Sequence, residues 1–133
     1  TGLMVTLMFK DKEFTDNIIY EKLLSDKLSK NLGLFYENTV AQTLTFNGIK
    51  LYYNTYYDET QKRIFEVDFL LADGHKVSPI EVRSSKYRVH RSIDEFSKKY
   101  SDRINSKYVV HTKDLYKKGD LLYLPFYLVQ FIR

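Results

Sequence analysis

The first third of the chain is patterned as helix and the middle as strand. Gly2 to Phe9 is apolar and predicts a short helix lying against a core. From Asn17 to Lys30 the apolar residues Ile18, Ile19, Leu23, Leu24 and Leu28 fall at helical spacing, with charges on the other face. A longer helix is predicted from about Leu32 to Phe46, closed by the stop signal Asn47-Gly48. The pattern then switches. Leu51 to Tyr57 has strand composition, Asp58 to Lys62 reads as a polar turn, and strands follow over Arg63–Leu71 and Lys76–Arg83.

The two strands meet at Asp73-Gly74, a tight-turn signal. Further on, Ser92 with Glu95 three residues later forms a capping-box pattern and predicts a helix reaching about Arg103. Lys107–Thr112 and Leu121–Leu124 read as short strands, and Pro125 to Ile132 as a closing apolar helix or strand. The order of elements predicts an α/β (α+β) domain built around a mixed sheet flanked by helices.

The hairpin carries the chemistry. With Asp73-Gly74 as a two-residue turn, Phe69 faces Ser78, Val67 faces Ile80 and Phe65 faces Val82, which makes one side apolar. The other side then gathers Glu66, Asp68, Glu81 and Arg83 within roughly 7–8 Å, the diagonal spacing of a sheet. Carboxylates so close need a compensating cation, and the whole inference depends on register. Glu37 joins them from the preceding helix, an acid within the apolar stripe Leu34, Val40, Ala41 and Leu44.

Two readings of these acids stand side by side. In one, Asp68 and Glu81 hold Mg²⁺, a hard cation that binds through one or two carboxylates plus phosphate oxygens. In the other they form an ion-pair network with Arg83 and nearby lysines, with Glu66 in support.

Composition narrows the classes. The 133 residues carry 44% hydrophobic and 16% aromatic side chains, which marks a globular chain rather than a disordered one. The apolar runs are too short and too often interrupted by charge to cross a bilayer. Absence of cysteine removes thiolate metal sites and disulfides, which fits a cytoplasmic location.

The net charge of +4 is concentrated where it matters, in Arg83 to Arg91, "RSSKYRVHR", which holds no acid. Lys86, Arg88 and Arg91 are thus candidate phosphate contacts beside the carboxylates, against the alternative of a solvated loop. Tyr87 could stack on a base. The tyrosines of Leu51–Tyr57 are assigned to packing, and His75 and His111 lack partners at metal-ligand spacing.

Asp68 followed by Glu81-Val82-Arg83 resembles the PD-(D/E)XK nuclease motif, and Glu37 matches the acid many of those enzymes carry on the preceding helix. The chain departs from that pattern by holding Arg83 where Lys is usual. An arginine keeps the charge but cannot give up its proton to help activate water.

Over nearly its whole length the sequence is also similar to the C-terminal domain of unknown function attached to bacterial AAA-type ATPases. The matching pieces are Thr1-Gly2-Leu3-Met4, Gly33 to Val40, Glu66 to Leu70, Pro79 to Ser84, Ser92 to Tyr100 and Leu122 to Pro125. The resemblance implies a restriction-endonuclease-like core over residues 32–133, an N-terminal helical segment over 1–31 packed on it, and an ATP-binding portion of the same chain upstream. No Walker A loop is present in these residues.

Implied functions are an accessory module binding DNA or another nucleic acid or a protein partner, an active Mg²⁺-dependent DNA endonuclease, or a protein-interaction domain alone. In the endonuclease, Glu37, Asp68, Glu81 and Arg83 would be catalytic, with Asp68 and Glu81 on the metal.

Overall fold

A computed structural model describes residues 32–132. The helices predicted over Gly2–Phe9 and Asn17–Lys30 lie outside the described residues. Helix α1 (Leu32–Phe46) leads into strands β1 (Leu51–Asp58), β2 (Arg63–Asp73) and β3 (Lys76–Val82). Helix α2 (Arg91–Lys99), a short 3₁₀ turn at Ser101–Arg103, and strands β4 (Lys107–His111), β5 (Tyr116–Lys118) and β6 (Leu121–Pro125) follow. A 3₁₀ segment, Phe126–Phe131, closes the fold. The strands form a six-stranded sheet in the order β1-β2-β3-β4-β6-β5. The β3–β4 and β4–β6 pairs are parallel and the others antiparallel, so the sheet is mixed and the domain α+β, as predicted.

Helix α1 stops where the sequence says it should. The N–H of Gly48 donates to Thr45 O at 2.9 Å and that of Ile49 to Leu44 O at 3.0 Å, with Gly48 at φ +79°. This is the Schellman arrangement, and Ile49 and Leu44 pack in the same core, completing its apolar contact. That core lies on the α1 side of the sheet, where Val40, Leu44, Leu71, Ile80, Val82, Val110, Leu124 and Val129 are buried together. A second cluster of Ile93, Val109, Leu121 and Tyr123 lies on the α2 side. The predicted stripe on α1 is corrected at one end: Tyr36, Val40 and Leu44 pack inward, whereas Leu34 is exposed.

The predicted capping box also fails. Helix α2 begins at Arg91, one residue before Ser92, and His90 occupies the cap. The ring of His90 is held by Tyr123 Oη at 2.8 Å and Asp94 Oδ1 at 3.0 Å, while its carbonyl accepts the Asp94 N–H at 3.1 Å. Glu95 turns instead to Lys98 Nζ at 2.7 Å. The helix ends before Arg103 because Tyr100, at φ −127°, leaves the helical region.

Candidate functional site

The hairpin register places the acids. Asp73 pairs with Lys76, so the two-residue loop is Gly74-His75, with Gly74 at φ +61° in the first central position. Glycine's positive φ is needed there, which keeps Asp73 in the ladder and shifts the predicted pairing by two residues. Phe69 therefore faces Ile80, not Ser78. A two-residue shift alone leaves each side chain on its predicted face.

A bulge overturns the predicted faces. Between the pairs Asn54↔Val67 and Tyr52↔Leu70, both Asp68 and Phe69 stand opposite Tyr53. The strand thus changes faces at that point. Phe69 and Leu71 pack in the core on the α1 side. Phe65, by contrast, stacks on Tyr56, whose ring lies 4.8 Å beneath Lys99 Nζ of α2. Phe65, Val67, Phe69, Ile80 and Val82 therefore do not share one apolar face, and Glu66, Asp68 and Glu81 do not share one polar face.

What the bulge does instead is open a gap between β2 and β3. Their paired register runs only from Asp73↔Lys76 to Phe69↔Ile80, after which β3 continues beside β4 through Glu81↔Val109 and Val82↔Val110. The carboxylate of Asp68 fills this gap, with Oδ2 accepting the Val82 N–H at 2.7 Å. A side chain thus takes the place of the missing ladder bond. Burial pushes the Asp68 pKa up to about 6 against the opposing pull of that N–H, and the neighbouring Glu37 charge adds to the rise.

Glu81 lies on the α2 side, beside Val109, and is 1% exposed. One carboxylate oxygen accepts from Arg83 Nη2 in an ion pair, and the other, Oε2, is buried without a hydrogen-bond partner. Burial raises its pKa to about 7 although the Arg83 guanidinium pulls the other way. Glu37 reaches toward the group from α1. Its pKa is raised first by burial, then by the charge of Glu66, with Arg83 opposing. The predicted Glu37, Asp68, Glu81 and Arg83 are therefore electrostatic neighbours around the end of β3, arranged on both sides of the sheet.

As a metal centre the group is lean. Asp68 Oδ2 is committed to a backbone amide and one Glu81 oxygen to Arg83, which leaves Glu81 Oε2 as a buried oxygen without a partner. Among the described residues no three Asp, Glu, His or Cys side chains gather into a set that could hold a metal ion. Mg²⁺ nonetheless needs only one or two carboxylates when phosphate oxygens supply the rest.

The basic segment divides. Arg83, Lys86 and Arg91 line one cleft of about 200 Å³ together with Arg63, Ser85 and Ser92, walled by Ile64, Phe65 and Val89. Arg88 lies elsewhere, over the Tyr87 ring at 5.8 Å. Tyr87 is itself stacked on His111 at 4.5 Å within an aromatic cluster, so its ring is taken up by the protein's own packing. Nothing local in the sequence marks Arg63 as a cleft residue. It reaches the cleft because β2 starts beside the loop that follows β3.

The sequence model of the Domain of unknown function (DUF4143) matches residues 32–128, more than half of the chain. The chain belongs to this family. No curated protein matches it, and no solved structure does.

Proposed function

We propose that this DUF4143 domain is an accessory module that binds nucleic acid through the cleft at the end of β3. In this reading it serves as the C-terminal part of an AAA-type ATP-binding protein. The observation that supports binding is that four cations, Arg63, Arg83, Lys86 and Arg91, line one cleft that no acidic residue lines. Phosphate groups are held by such clusters through charge and hydrogen-bonded guanidinium forks. The ATPase context rests on the resemblance at Gly33 to Val40, Pro79 to Ser84 and Ser92 to Tyr100.

Replacing Lys86 and Arg91 together by alanine is expected to weaken binding of a fluorescent oligonucleotide at least about tenfold, a loss of 1.4 kcal/mol or more. Unchanged anisotropy titrations would remove the reading. A Walker A motif in the upstream part of the gene would establish the ATPase context.

The partnerless Glu81 Oε2 favours a second reading, a Mg²⁺-dependent nuclease. Asp68 and Glu81 would hold the ion, which supplies a Lewis acid and an activated water when bound. The protein's own part would be Arg83, which lines the cleft and would hold a phosphate oxygen, and Glu37, an acid whose pKa is raised by burial. Calorimetric titration with Mg²⁺ or Mn²⁺ separates the readings: heat that disappears in Asp68→Asn supports the nuclease, and the absence of heat in the native chain eliminates it.

A further inference from the structure

The lining of the basic cleft says more than that it binds an anion. A continuous strand presents single charges spread along its path, one per 3.4 Å of axis, and is met by cations laid out as a stripe. Here the cations converge. Arg63 comes from the start of β2, Arg83 from the end of β3, Lys86 from the connecting loop and Arg91 from the first turn of α2, all onto one cleft of about 200 Å³.

Arg83 is partly neutralised by Glu81, and the other three carry no ion pair among the described residues. Ser85 and Ser92 add hydroxyl donors, and Ile64, Phe65 and Val89 add an apolar wall. The Arg63 guanidinium lies 5.7 Å from the Phe65 ring centre, a cation–π contact with the apolar wall. The first N–H groups of α2 have no intrahelical partner and add to the positive end of the cleft.

We propose that this cleft takes a terminal phosphomonoester, the phosphate at the end of a nucleic-acid strand or on a mononucleotide. Its ring portion lies against Ile64, Phe65 and Val89. A monoester carries close to two negative charges at neutral pH and three free oxygens, whereas an internal phosphodiester carries one charge. Three uncompensated cations around one cleft of about 200 Å³ match the doubly charged monoester better than a singly charged diester. This rests on the nucleic-acid reading for its ligand class, but it can outlive that reading.

The test uses the full chain at pH 7.5 with a short labelled single strand bearing either a terminal phosphate or a terminal hydroxyl. Calorimetry with a nucleoside monophosphate and with the bare nucleoside is run in parallel. The phosphorylated strand is expected to bind at least about tenfold more tightly, with that advantage lost in Arg63→Gln/Lys86→Gln. Equal affinity for the two strands overturns the inference and leaves nucleic-acid binding standing. Binding of the monophosphate over the nucleoside, with no binding of either strand, upholds the terminal-phosphate site and ends the nucleic-acid reading. No binding of any probe ends both, and a preference that survives in the double variant overturns the assignment to this cleft.

Discussion

Glu81 is nearly sealed from solvent, with one oxygen on a guanidinium and the other on nothing. Its pKa of about 7 stands above the ordinary 4.5, so the folded state holds a proton that the unfolded chain has already released. Between those two values stability falls as pH rises, by about 3 kcal/mol for this group taken alone. Asp68, raised from 3.8 to about 6, acts with the same sign over a lower window.

Melting temperature should therefore climb as pH is lowered from 8 to 5, and Glu81→Gln should flatten that climb. A scan showing the same slope in both proteins would remove the assignment. The same proton matters for the cleft: below pH 7 a neutral Glu81 loosens its hold on Arg83.

At the scale of elements, two backbone features shape the fold, and one of them can be tested by itself. Gly48 closes α1 at φ +79° with open space around the position a Cβ would take. Gly48→Ala should thus cost about 1 kcal/mol from backbone conformation alone, without a steric clash. A denaturant midpoint equal to that of the native chain would contradict it. Leu44, one turn earlier and fully buried, gives the contrast. Leu44→Ala should cost roughly 2–5 kcal/mol through lost burial and the cavity left behind, several times the effect at Gly48.

The second feature is the bulge at Asp68–Phe69. It shortens the pairing of β2 with β3 and leaves the Val82 N–H for the Asp68 carboxylate. An acid in this gap is the consequence of a ladder that ends early.

At the scale of the molecule, the excess charge is less informative than its placement. The net +4 is small, yet Arg63, Lys86 and Arg91 meet at one cleft without an acid among its lining residues. Cations that converge on one terminal phosphate of close to two charges predict that binding of a phosphorylated single strand weakens with salt at a shallow log–log slope of roughly −1, and that Lys86→Ala makes it shallower still. A slope near zero would mean that phosphate contacts do not hold the complex. Among the described residues no helix is long and apolar enough to cross a membrane.

Much of this was legible in the chain. The bounds of α1, the β1–β3 meander and the positions of β4 and β6 follow from the period of apolar residues and from Asn47-Gly48 and Asp73-Gly74, because those signals act between near neighbours. The acids Glu37, Asp68 and Glu81 and the cation Arg83 could be named in advance, since each breaks the pattern of its own element. Strand β5 is not legible in the sequence: Tyr116–Lys118 is three residues long, too short to show a period.

Which residues share a face could not be read from the chain. The hairpin rule assumes unbroken alternation, and one extra residue opposite Tyr53 reverses it. Nor could Arg63 be joined to Lys86 and Arg91, because that meeting depends on how β2 runs past the loop after β3. Sequence determined the elements and the chemical groups, which are local properties. Only the tertiary structure decided their grouping, because a bulge and a register depend on partners distant in the chain.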